Sequence, residues 1–70
     1  MYSTFYYVAS RESDEIVDKL TSAATRRESL LASARSLLNT VQITRPNAIG
    51  FFICDPDGRE IGRWYDGDAY

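Results

Sequence analysis

Seventy residues with one cysteine, Cys54, and no histidine make a single small domain with no internal disulfide and no zinc-type ligand set. A core this small supports folding only marginally, so self-association or docking on another protein is the support left open. A hydrophobic content of 44% excludes a disordered chain, and no apolar run approaches the ~20 residues that cross a bilayer.

The first segment, residues 2–9, is aromatic and β-branched and reads as a strand, with Phe5, Tyr7 and Ala9 on one face and Tyr2, Thr4, Tyr6 and Val8 on the other. Next comes an apolar stripe at alternating steps of three and four: Ile16, Leu20, Ala23, Leu30, Ala34, Leu37 and Val41, interrupted by Arg27. Val17, Ala24, Leu31 and Leu38 run beside it. The two rows predict one helix over about residues 13–41, with Ser13 as N-cap and Asp14 and Glu15 in the first turn. Such a helix is about 40 Å long. A compact domain of this length is only about 25 Å across, so the helix either breaks or overhangs. Thr25-Arg26-Arg27-Glu28 matches a capping box and marks where a second helix would start. The absence of Gly and Pro between residues 11 and 45, and the unbroken phase of the stripe, favour continuity.

Pro46 ends any helix before it. Ile49 to Cys54 reads as a strand, Asp55-Pro56-Asp57-Gly58 as a turn, and Arg59 to Tyr65 as the returning partner, a hairpin over about 48–65. Residues 66–70 form an acidic tail. The predicted order is β-α-β-β: an α+β fold in which a three-stranded antiparallel sheet carries one long helix on one face. Tyr2, Tyr6, Phe52, Trp64 and Tyr65 are candidates for the other face.

No reactive constellation accompanies this fold. A nucleophile needs an adjacent base, and histidine is absent; Cys54 in a strand is a small buried hydrophobe. Asp55 and Asp57 are explained by the turn, and the run lacks the Glu that closes an EF-hand loop. No phosphate-loop spacing follows the glycines. The chain is therefore expected to be no enzyme and to need neither cofactor nor metal. The formal charge of −2 and the lack of a basic footprint argue against direct nucleic-acid binding. A single thiol and the lack of an export signal at Met1–Phe5 fit a cytoplasmic setting, and no membrane partner is expected.

Charge is distributed as negative, positive, negative blocks, and the last, residues 55–70, is not explained by the helix dipole. There Trp64, Tyr65 and Tyr70 sit among Asp55, Asp57, Glu60, Asp66 and Asp68, and these eight residues are the candidate partner-binding surface. An acidic, aromatic surface suits a protein partner with a basic groove, such as one that handles nucleic acid. In size, acidity and lack of enzymatic motifs the chain resembles the small phage- and plasmid-borne proteins that block host defence complexes, anti-CRISPR proteins among them. That resemblance covers size and composition and carries no residue over. It implies an inhibitor that acts by occupying a surface. The alternative is a self-associating structural or regulatory module, dimerising through Leu30, Leu31, Leu37 and Leu38 with Arg27 setting register.

Overall fold

A computed structural model describes residues 2–12 and 15–67, which form, in order, β1 (Ser3–Val8), β2 (Ile16–Ser22), α1 (Arg27–Thr44), β3 (Gly50–Cys54) and β4 (Glu60–Tyr65). All neighbouring strands are antiparallel, in the order β2-β1-β3-β4, and α1 packs on one face. One helix on an antiparallel sheet is the expected α+β architecture. The strand count is corrected from three to four.

The extra strand comes from the first half of the expected 13–41 helix. Residues 16–22 are β2, paired with β1 from Ser3↔Ser22 to Val8↔Ile16. A bulge at Val17 and Asp18 accounts for the three-residue step from Val17 to Leu20, while Ile16 and Leu20 of the expected stripe fall on opposite faces. Both residues stand opposite Tyr7, so the phase slips by one residue. Val17 and Leu20 therefore share the core side although they are three apart, and Ile16 and Lys19 share the other. The true helix has 18 residues, about 27 Å, and fits a molecule measuring 29 × 23 × 20 Å. Its first residue lies inside the capping-box sequence, but no capping box forms. Arg26 is the N-cap, extended at φ −88° and ψ 130°, with no side-chain cap bond. The expected N-cap Ser13 lies outside the described residues.

Leu30, Ala34, Leu38 and Val41 turn one side of α1 onto Phe5, Tyr7, Phe51, Ile53 and Trp64. Tyr7 is fully buried, and its hydroxyl donates to the Ala34 carbonyl at 2.8 Å, joining sheet to helix. Burial, and then the charge of Asp18, hold that phenol well above its ordinary pKa. Leu31 covers β4 at Gly62, where an added Cβ would lie 3.0 Å from the leucine methyl. The helix row expected to pair with a second copy is thus largely engaged within the chain.

The helix ends are tied to the two outermost strands. Arg27 Nε donates to the Ile61 carbonyl of β4 at 2.7 Å, and Arg45 Nε donates to the Val17 carbonyl of β2 at 3.2 Å. On β2 the Lys19 N–H is taken by its neighbour, Asp18 Oδ1, at 2.8 Å. Occupied edge groups make poor templates for a further strand.

Candidate functional site

Strand alternation sends Phe5, Tyr7, Phe51, Ile53 and Trp64 under the helix, which leaves their neighbours on the opposite face. Cross-strand partners share a face, so the registers assemble a row across the whole sheet: Lys19 of β2, Tyr6 of β1, Phe52 of β3 and Arg63 of β4. The two central rings stack on each other, 5.0 Å between centroids and 21° between planes. Arg63 lies over Phe52 at 5.0 Å. Because β3 stands between β1 and β4, Arg63 occupies the side of Phe52 away from Tyr6. The result is a layered stack, guanidinium on phenyl on phenol, half-buried without any covering helix.

Arg63 is locked in place. Its guanidinium meets the Glu60 carboxylate through Nε at 3.0 Å and Nη2 at 2.6 Å, and Nη1 donates to the Tyr65 hydroxyl at 2.6 Å. Such two-point pairing fixes orientation as well as charge. Arg11 lies over the Tyr65 ring at 4.7 Å and closes the other end of the face above Val8 and Gly50. Only glycine fits at position 50, since a Cβ there would lie 2.5 Å from the Trp64 carbonyl oxygen. On the hairpin side the row Thr21, Thr4 and Cys54 is made of small side chains.

The hairpin turn is built as its sequence predicts. Asp55 Oδ1 accepts from Asp57 N at 3.0 Å and Arg59 N at 2.8 Å, the Gly58 N–H donates to the Asp55 carbonyl at 2.9 Å, and Gly58 has φ +89°. Asp57 and Glu60 are exposed beside it, so acids border the free face at this end.

The eight candidate partner-binding residues are divided by this geometry. Asp55, Asp57 and Glu60 gather at the hairpin. Asp66 lies at the far end of β4, separated by a strand of about 17 Å. Trp64 and Tyr65, adjacent in sequence, face opposite sides. Trp64 is core, 9% exposed, with Arg35 over its ring at 5.1 Å and its indole N–H without a hydrogen-bond partner among the described residues. Tyr65 is on the free face but only 7% exposed, beneath Arg11 and Arg63. Asp68 and Tyr70 lie outside the described residues. Sequence reasoning missed Lys19, which it placed in a helix, and Arg63, whose position is visible once β4 alternation is followed from Trp64.

Cys54 is half-buried and its thiol is pushed up, by burial first and then by Glu60 and Asp55, with Arg63 opposing. A raised pKa keeps it protonated and a poor nucleophile. Among the described residues no group of three or more His, Cys, Asp or Glu is arranged to hold a metal ion, and no helix is long and apolar enough to cross a membrane. No protein-family model matches the chain, and the searches of curated proteins and of solved structures return no match.

Proposed function

We propose that this chain is a non-enzymatic inhibitor that occupies the basic surface of a larger partner protein, a nucleic-acid-handling protein being the class that its charge suits. The observation that carries the reading is the acidic hairpin beside the half-buried aromatic face. Asp55 holds the turn through two backbone N–H groups, which leaves Asp57 exposed on a rigid tip. A rigid acidic tip beside aromatic surface matches a basic groove in charge and loses little entropy on binding. Self-association through α1 is the weaker reading. Leu30 and Leu38 are core residues, and of the four seam leucines only Leu37 is exposed, at 36%.

Affinity capture from a lysate of the native cell, repeated with Asp57→Lys and separately with the pair Asp66→Lys and Asp68→Lys, tests the proposal. Capture of a basic protein, lost on reversal at one end of β4, supports it and says which end docks. Capture indifferent to both reversals removes it.

A further inference from the structure

The layered stack on the helix-free face is closed on one side only. Arg63 terminates it at β4, held by Glu60 and the Tyr65 hydroxyl. At the other side it stops at Tyr6, for which Phe52 is the only stacked ring among the described residues. The next position in the row, across on β2, is exposed Lys19 rather than another ring. Beside that position stand the small side chains of Thr4 and Thr21. We propose that this open end is a binding site for a planar ring carrying an anion, namely a nucleobase with its phosphate: the base stacks on the free side of Tyr6 and the phosphate meets the Lys19 ammonium.

Two physical terms support this occupant. A base laid on Tyr6 continues a stack whose layers are already aligned, and stacking of a base on an aromatic side chain tolerates any base. The ammonium of Lys19 favours a single anionic group over a partner's arginine in the same slot. The chain's net negative charge and the hairpin acids disfavour a long polyanion. The hairpin acids act weakly on one nucleotide at the β2 side of the sheet, where the acid beside Lys19 is Asp18, its carboxylate turned to the Lys19 N–H. The ligand is therefore nucleotide-sized, either a free mononucleotide or the phosphorylated end of a single strand. This inference is independent of the inhibitor reading, which rests on the hairpin acids, and Asp57→Lys is expected to leave it intact.

The test is an NMR titration of the full chain with AMP, adenosine, inorganic phosphate and a short 5′-phosphorylated oligodeoxyadenylate. AMP should move the Tyr6 ring and Lys19 resonances saturably, with the ring-current signs of a stacked base, and adenosine should bind several-fold more weakly. Lys19→Glu should reduce AMP affinity by about tenfold or more, the size expected for losing one charge-assisted contact and gaining a repulsion. Arg59→Glu, the same charge change on the hairpin, should not. Tyr6→Leu should abolish the ring-current shifts, and if that variant fails to fold, the Lys19→Glu and adenosine comparisons decide. Equal AMP and oligonucleotide affinity identifies a free nucleotide, and tighter oligonucleotide binding identifies a strand end. Absence of saturation in the millimolar range, an equal response to inorganic phosphate, or indifference to Lys19→Glu overturns the proposal.

Discussion

The helix-covered face of the sheet and the helix-free face draw on the same two central strands and are similarly aromatic, yet they exclude water by different means. Under α1, Phe5, Tyr7, Phe51 and Ile53 are fully buried against a second layer of secondary structure. On the other side Tyr6 and Phe52 cover each other, and three of the chain's arginine–ring contacts, from Arg63 and Arg11, serve as the outer layer. A sheet of this size thus closes one face with a helix and the other with side chains lying along it. The second solution is cheaper in chain length but leaves the face half-exposed and its stack open at one end.

The largest test of that contrast compares the two faces directly. Trp64→Ala should cost about 3–5 kcal/mol in denaturant unfolding, comparable to the whole stability of a domain this size, and leave the chain unfolded. Phe52→Ala, on the half-buried side, should cost roughly 1–2 kcal/mol and leave a folded domain. Equal losses would make the faces equivalent and remove the distinction.

Next in size is the boundary between β2 and α1. Ser36→Pro, inside the helix, should cost about 3 kcal/mol, whereas Ala23→Pro, in the connection, should cost about 1 kcal/mol or less. A helix continuous from about residue 13 would make both equally damaging, so matched losses in thermal melts would restore that alternative.

The smallest effect belongs to the phenol that joins the covered face to the helix. Tyr7→Phe should cost about 1 kcal/mol at neutral pH through the lost bond to Ala34. Its raised pKa means that above about pH 10 the unfolded chain releases a proton that the native chain retains. Stability conferred by the neutral phenol is therefore complete below that pH and declines as pH rises, by up to ~1.4 kcal/mol per unit. The slope of stability between neutral and strongly alkaline pH should be shallower in Tyr7→Phe. An identical slope would mean that the hydroxyl is not sealed under the helix.

Legibility in the sequence follows the regularity of the local backbone. The β3–β4 hairpin was readable because Asp55, Pro56, Asp57 and Gly58 each match a position of one turn type. The strand β1 was readable from composition. The strand β2 was not, because its bulge puts Val17 and Leu20, three residues apart, on one face, and Leu20 is in phase with the real helical row of Leu30 while Val17 is in phase with that of Leu31. The β-branched pair Ile16-Val17 and the excessive length of the implied helix were the available warnings. The candidate surface was legible in its acids and misread in its aromatics. Trp64 and Tyr65 are adjacent in a strand, and adjacency alone places them on opposite faces.

The arginines at the two ends of α1 give the outer strands a shared fate. Arg27 grips Ile61 in β4 and Arg45 grips Val17 in β2, so the helix spans the sheet like a diagonal brace fastened at both margins. Peeling either margin detaches a helix terminus, and fraying a terminus loosens a margin. In native-state hydrogen exchange the amides of β2 and β4 should consequently open together with the first and last turns of α1, as one cooperative unit rather than as independent rims.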